Sequence, residues 1–206
     1  MASWNTHITV IDSEAVPVLF LDRDGVVIRD RDYLGDPDGV ELLPGVAAAM
    51  VRARAAGLLL VGVSNQSGIG RGIFTIADFS AVMERIATDL AVEGARFDGF
   101  FYCPHAPADG CECRKPRTGL LAEASAYCAW DPARSWVIGD KESDVALGQN
   151  GGMGSVLVRT GYGEQQEAVV AERWPAVNRL LVASDLAEAV TLILARPEFA
   201  PGKVSP

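Results

Sequence analysis

Three observations predict an α/β fold built on a doubly wound parallel sheet. Short apolar runs alternate with helix-period segments five times along the 206 residues, the pattern of repeated strand–helix–strand units. The runs are continuous rather than alternating: PVLFLD at 17–22 and LLLVGVS at 58–64 read as strands buried on both faces. Hydrophobic residues make up 49% of the chain, enough to cover one sheet with helices on both sides. Right-handed crossovers wind such a sheet both ways, and ligands then bind at the carboxyl ends of the strands.

The elements follow in order. Residues 1–16 form an N-terminal extension that lacks the basic and apolar regions of a signal peptide; His7 within it has no assigned chemistry. After the strand at 17–22 comes a polar segment, RDRDYLGDPDGVELLPG. Pro44 suits the first turn of a helix that runs to Ala56 and stops at Gly57. The strand at 58–64 follows, and Thr75 caps a helix over 76–92 with Asp78 three residues on. FDGFFYC at 97–103 is the third strand. Thr118 caps a helix through Ala129, where Cys128 shares a face with Leu121 and Ala124 and reads as a small buried hydrophobe. SWVIGD at 135–140 is the fourth strand, and a short helix after it stops at Gly151-Gly152. Strands at 154–160 and 178–184 and a helix from Ser184 complete a single domain over 1–206. Trp4, Trp130, Trp136 and Trp174 read as packing residues.

Charge and composition exclude several functions. The net charge is −9 and no basic run occurs, so no nucleic-acid partner is expected. No apolar run approaches the roughly 18 residues of a membrane span, so no membrane partner is expected either. A cytoplasmic location is expected, where thiols stay reduced.

The strand ends hold the chemistry. The first ends in Asp22-Arg23-Asp24-Gly25, and residues two apart on a strand share a side. Two carboxylates in one space repel unless a cation lies between them, and a hard ion such as Mg²⁺ takes carboxylate oxygens beside water and phosphate; a solvated turn is the alternative. The second strand ends in Ser64-Asn65-Gln66-Ser67-Gly68, with Arg71 on the Gly-rich loop beyond. Its hydroxyl, amides and backbone N–H groups suit phosphate oxygens, or merely make a polar loop. The third strand runs into CPHAPADGCECRKP, 103–116, which crowds three of the four cysteines and one of the two histidines into one loop. The fourth ends in Asp140-Lys141-Glu142-Ser143-Asp144, where two acids could serve one cation or favour a helix start.

Taken together, DRDGVV, SNQSG, CRKP and GDKESD resemble, in order, the four motifs of the haloacid-dehalogenase superfamily of phosphatases, over about residues 18–163. NQSGIGRG, the CPH…C-x-CRKP loop, GDK and LVRTGYG are similar to the branch of that superfamily acting on heptose 1,7-bisphosphates; histidinol-phosphate phosphatases share the cysteine loop. The resemblance implies a Rossmann-like sheet of haloacid-dehalogenase type. It implies Asp22 as a nucleophile that forms an aspartyl-phosphate, Asp24 as acid and base, and Ser64 and Lys115 on the phosphoryl oxygens. Mg²⁺ is expected between Asp22, the main-chain carbonyl of Asp24 and Asp140, with Asp144 nearby. Asn65, Arg71, Arg114 and Lys141 are expected to contact a small phosphorylated sugar, and the protein to act as a monomer.

Cys103, His105, Cys111 and Cys113 make a Cys₃His set for a structural Zn²⁺, with no position left for water. A redox dithiol is the competing reading, but no C-x-x-C occurs. Val26 stands where the family has Thr, and Ser64 where close relatives have Thr. The segments after the first and third strands leave no room for a cap domain, so the zinc-bound loop and residues 26–40, including Tyr33, must shape the site. Three functions follow: a Mg²⁺-dependent phosphatase removing the 7-phosphate of a heptose 1,7-bisphosphate, a histidinol-phosphate phosphatase, or a non-catalytic zinc-loop binding protein.

Overall fold

The computed structural model describes residues 2–4 and 11–199, with side chains from residue 15 onward. Its centre is a seven-stranded sheet in the order β1-β5-β4-β3-β7-β8-β9. Those strands are β1 (Ala2–Trp4), β3 (Val18–Leu21), β4 (Leu59–Asn65), β5 (Gly99–Cys103), β7 (Trp136–Gly139), β8 (Gly154–Val158) and β9 (Leu180–Ala183). All neighbours pair in parallel except β1, which lies antiparallel on β5 at the edge. A small second sheet pairs β2 (Ile11–Val16) with β6 (Cys128–Trp130) in parallel.

The period of two along each strand divides the core. Leu19 and Leu21 of β3 join Leu60, Phe100, Ile138 and Val156 on one face. There they meet buried residues of α1 (Val46–Ala55), α3 (Ile76–Val92) and α7 (Leu186–Leu194). Val18 and Phe20 join Val61, Val63, Phe101 and Val137 on the other, against α4 (Gly119–Ala124) and Leu147 of α5 (Glu142–Asn150). The remaining helices are α2 (Ser67–Gly70) and α6 (Gly163–Arg173), the latter docked through Val170 against Val145 and Leu157. The predicted box at the start of α3 is present: Asp78 N donates to Thr75 Oγ1 at 3.1 Å and Thr75 N to Asp78 Oδ2 at 2.7 Å.

Three expectations need correction. The helix from Thr118 ends at Ala124 rather than Ala129, because Cys128–Trp130 is recruited into a ladder with the N-terminal segment. Cys128 is still buried, on a strand rather than a helix face. Residues 1–16 are more than an extension, since two of their segments add strands. Helix α6 was not foreseen: only Gly163 and Val170 of its eleven residues are buried, too few to print an apolar stripe. Trp136 is fully buried, Trp130 packs edge-on against Phe20 at 5.3 Å, and Trp174 packs beside Val170. His7 lies outside the described residues, and so does the Trp4 side chain.

Strand β3 leads to β4 on one side, while β7, β8 and β9 continue on the other. The crevice at the carboxyl ends of β3 and β7 is therefore the topological switch point, where open α/β sheets bind ligands. Between β3 and α1 the only helical element is a short 3₁₀ turn, Pro37–Gly39. No described helix is long and apolar enough to cross a membrane.

Candidate active site and metal centre

A cavity of about 280 Å³ opens at this switch point. Asp22, Asp24, Ser64, Asn65, Arg114, Lys115 and Lys141 all line it, from the ends of β3, β4 and β7 and from the loop after β5. Asp22 is set by its place one residue past β3, where its N–H donates to Ile138 O of β7 at 3.0 Å. Its Oδ1 accepts from Arg23 N at 2.8 Å and lies 3.1 Å from Lys115 Nζ. Lys115 is 4% exposed; its ammonium also donates to Val63 O at 2.8 Å and sits 2.6 Å from Asp144 Oδ1.

Asp22, Asp140 and Asp144 are buried, and each offers a carboxylate oxygen within 4.8 Å of the others. Asp140 is held by backbone. Its Oδ2 accepts from Tyr162 N at 2.9 Å and is pressed between two glycines in the left-handed region, Gly25 (φ +79°) and Gly161 (φ +59°). A Cβ at Gly161 would lie 2.2 Å from that oxygen, so only glycine admits it. The other oxygen, Oδ1, is buried with no hydrogen-bond partner, its nearest cation being Lys141 Nζ at 3.6 Å. Burial and the neighbouring Asp22 push Asp140 up to about 7. Burial also drives Asp144 up, with Asp22 adding and Lys115 opposing. Burial would raise Asp22 too, but Lys115 and Lys141 outweigh it and hold that carboxyl below its ordinary value. Both lysines are held above theirs, Lys115 by Asp144 and Asp22 and Lys141 chiefly by Asp22 and Asp140, although burial works the other way.

The charge balance argues for a cation. With its acids ionised, the cluster sets three carboxylates against two ammonium groups, one of which, Lys141, is shared with Asp30 at 3.3 Å, so the site is net negative, which a phosphate dianion would meet unfavourably. A divalent ion reverses that sign and gives Asp140 Oδ1 a partner, and the oxygen-only donor set suits a hard cation such as Mg²⁺. Asp24 contributes no carboxylate to this cluster. Its side chain is turned onto Arg23 Nε (3.2 and 3.1 Å) and Nη2 (3.0 Å) and onto Gln66 Nε2 (2.9 Å); the expected role toward an ion uses only its main-chain carbonyl.

The cysteine loop folds as a second cluster. Cys103, His105, Cys111 and Cys113 bring their ligand atoms within 4.8 Å of one another. Cys103 Sγ lies 3.5 Å from Cys111 Sγ, which lies 3.5 Å from Cys113 Sγ; His105 Nδ1 is 3.2 Å from Cys113 Sγ and 3.7 Å from Cys103 Sγ. Tetrahedral bonds of ~2.3 Å to sulfur imply ligand separations of about 3.8 Å, so the set fits Zn²⁺. Burial pushes the Cys103 and Cys113 thiols up, and a cation would offset that cost for the thiolates. Gly70 lets the β4 loop close against this cluster: its N–H donates to Pro104 O at 2.7 Å, and a Cβ there would lie 2.6 Å from Ala106 N.

The cluster is coupled to the cavity. Arg114 and Lys115 leave directly from Cys113, and Asn65 clamps Lys115 from both sides. Lys115 N donates to Asn65 Oδ1 at 3.0 Å and Asn65 Nδ2 to Lys115 O at 3.3 Å. The Asn65 amide is thereby spent on protein backbone. Arg71 does not line the cavity; its guanidinium carbon lies 5.9 Å from the ring centroid of Tyr33, which does.

The structure adds residues that motif reading passed over. Arg23 and Gln66 lie inside quoted motifs. Asp30, Asp32 and Tyr162 form a wall: Tyr162 OH donates to Asp32 Oδ1 at 2.9 Å, and Lys141 Nζ lies 3.3 Å from Asp30 and 4.6 Å from the Tyr162 ring centroid. Applying the strand-end rule to β8 would have pointed to Tyr162.

Known proteins resemble this chain in sequence and in fold. The HAD-hydrolase-like family model matches residues 112–189. The D-glycero-beta-D-manno-heptose-1,7-bisphosphate 7-phosphatase of Escherichia coli (strain K12) is 39% identical over 186 residues, covering 86% of this chain and 95% of that protein. The Yersinia pestis protein of the same name is 38% identical, covering 86% and 97%. A crystal structure of D,D-heptose 1,7-bisphosphate phosphatase from B. bronchiseptica, complexed with magnesium and phosphate, superposes with a TM-score of 0.77 at 34% identity, covering 86% of this chain and 98% of that one. The corresponding enzyme from Burkholderia thailandensis gives a TM-score of 0.67 at 30% identity, covering 87% and 99%.

Proposed function

The chain belongs to the HAD-like family of D-glycero-beta-D-manno-heptose-1,7-bisphosphate 7-phosphatases, and from that premise we propose that it releases the 7-phosphate of that sugar bisphosphate. One observation carries the reading most: three buried carboxylates meet at the switch point with a buried lysine in contact with two of them. Asp22, Asp140 and Asp144, with the Asp24 carbonyl, would hold Mg²⁺. The ion supplies charge that screens the carboxylates and stabilises the phosphoryl oxygens. Cys103, His105, Cys111 and Cys113 would hold Zn²⁺, which would anchor the loop that carries Arg114 and Lys115.

Asp22 attacks phosphorus as the bond to the sugar O7 breaks, and the departing alkoxide takes a proton from Asp24. Asp24 then removes a proton from water, and the hydroxide cleaves the acyl phosphate, releasing inorganic phosphate and restoring Asp22. Oδ1 of Asp22 is held by Lys115 and Arg23 N, and its Oδ2 accepts no hydrogen bond among the described residues; that supports a carboxylate with one oxygen oriented and one available. Ser64 and Lys115 face the phosphoryl oxygens, where the transition state spreads its charge. Uncatalysed phosphate monoester hydrolysis is slow enough that such enzymes reach accelerations of up to ~10²¹-fold. Arg114, Lys141 and Asn65 line the cavity that would take the substrate, and Arg71 lies outside it beside Tyr33.

Phosphate release with Mg²⁺, compared between heptose 1,7-bisphosphate and histidinol phosphate, tests the reading. Faster turnover of the heptose substrate is expected. Preference for histidinol phosphate would reassign the substrate, and no Mg²⁺-dependent release from either would leave a non-catalytic zinc-loop protein.

A further inference from the structure

We infer that Arg23 and Gln66 are positioning residues that aim the Asp24 carboxylate at the leaving oxygen and tie it to the Ser64 hydroxyl. The inference rests on the phosphatase reading above and adds to it the device that orients its acid–base group.

Arg23 is an unusual residue to bury. It is 1% exposed and among the largest fully buried side chains, yet arginine is seldom buried unless paired. Its only ion-pair partner among the described residues is Asp24. Nε reaches both carboxylate oxygens, at 3.2 and 3.1 Å, and Nη2 reaches Oδ1 at 3.0 Å. The guanidinium carbon lies 5.7 Å from the Phe79 ring centroid, so a core aromatic sets the orientation of the fork. Two planar groups joined in this way leave Asp24 little rotamer freedom.

Gln66 fixes the other edge. It is 3% exposed, and its Nε2 donates to Asp24 Oδ2 and to Ser64 Oγ, each at 2.9 Å. Paired with Arg23, the ionised Asp24 carboxylate only accepts, so the amide presents nitrogen to it in this state, and both amide protons are used. Ser64 Oγ is then an acceptor toward Gln66, and its own proton is directed elsewhere, into the cavity that both residues line. Gln66 is itself anchored, since its N–H donates to Cys103 O at 2.8 Å. The chain Arg23–Asp24–Gln66–Ser64 therefore sets the acid–base group and a phosphoryl-binding hydroxyl relative to each other before substrate arrives. Such preorganisation matters most for a proton transfer to an alkoxide, a poor leaving group.

The test uses the Mg²⁺-saturated full chain and the variants Arg23→Met and Gln66→Met, with melting temperatures to check folding. On heptose 1,7-bisphosphate each variant is expected to lose about 10–100-fold in kcat with KM within about threefold. On p-nitrophenyl phosphate, whose leaving group departs without a proton, the loss should be at least about tenfold smaller. In an Asp24→Asn background, Arg23→Met should cost no more than about twofold. Arg23→Lys keeps the charge without the fork and should stay close to Arg23→Met. Equal losses on both substrates, a KM effect with kcat preserved, or losses that multiply with Asp24→Asn would overturn the inference. A wild-type protein inactive on both substrates would instead bring down the phosphatase reading, and this inference with it.

Discussion

Replacing Gly161 by alanine probes the geometry around Asp140 most directly. The new Cβ would lie 2.2 Å from Asp140 Oδ2 and 2.7 Å from Gly25 Cα. Ordinary contact needs about 3.4 Å, so carboxylate or backbone must retreat by roughly 1 Å. Alanine at φ +59° also carries a left-handed penalty of about 1–2 kcal/mol. For a domain of this size that lowers the melting temperature by about 2–8 °C, leaving the protein folded. The functional loss should be larger, since a 1 Å misplacement at a reacting centre costs roughly 10²-fold. The assay is phosphate release from heptose 1,7-bisphosphate, titrated with Mg²⁺ and followed beside thermal melting. A weaker apparent Mg²⁺ affinity and a lower kcat are expected together. Wild-type Mg²⁺ dependence in a folded Gly161→Ala protein would refute the view that Asp140 is a cation ligand clamped by glycines.

Four further outcomes are expected. Asp22→Asn should lower turnover by at least about 10⁴-fold; appreciable steady-state activity would remove Asp22 as nucleophile. Lys115→Met strips two buried carboxylates of their cation and should destabilise the Mg²⁺-free protein by about 3–5 kcal/mol, with Mg²⁺ restoring part of the loss in a melting assay. Cys111→Ser should lose zinc, read by metal analysis, and melt at lower temperature; a wild type that melts normally without bound zinc would refute the structural centre. Asp140, pushed up to about 7, binds a proton in the Mg²⁺-free folded state that the unfolded chain, titrating at 3.8, has released. Through this group, stability falls as pH rises from 3.8 through about 7. Mg²⁺, which binds the ionised form, should therefore raise the melting temperature more at pH 8 than at pH 5.

Six of the seven strands of the main sheet were legible because they print nearly continuous apolar runs, while the antiparallel edge strand β1 reads as part of an extension. Helix α6 was not legible, because it buries too little to print a stripe. The β2–β6 ladder was invisible for another reason: its partners lie more than a hundred residues apart, and neither stretch signals the other. The same contrast holds at the site. Asp22, Ser64 and Asp140 sit at or just past strand ends, where the topology of the sheet brings them together, and Lys115 is carried to them by the loop after β5. Arg23, Gln66 and Tyr162 stand in or beside the same motifs, but their roles depend on where a side chain turns. Arg71, placed on the same reasoning as Asn65, comes to rest outside the cavity.

The sequence alone determined the six parallel strands of the main sheet, the set of acids and the cysteine loop, because apolar periodicity and the spacing of chemical groups are local properties of a chain. Only the tertiary structure decided which oxygen of Asp140 is left bare, that Asn65 serves the backbone of Lys115, and that a buried arginine grips Asp24. Those facts depend on which way side chains turn once the segments have packed, and steric exclusion in the assembled core selects one arrangement among many.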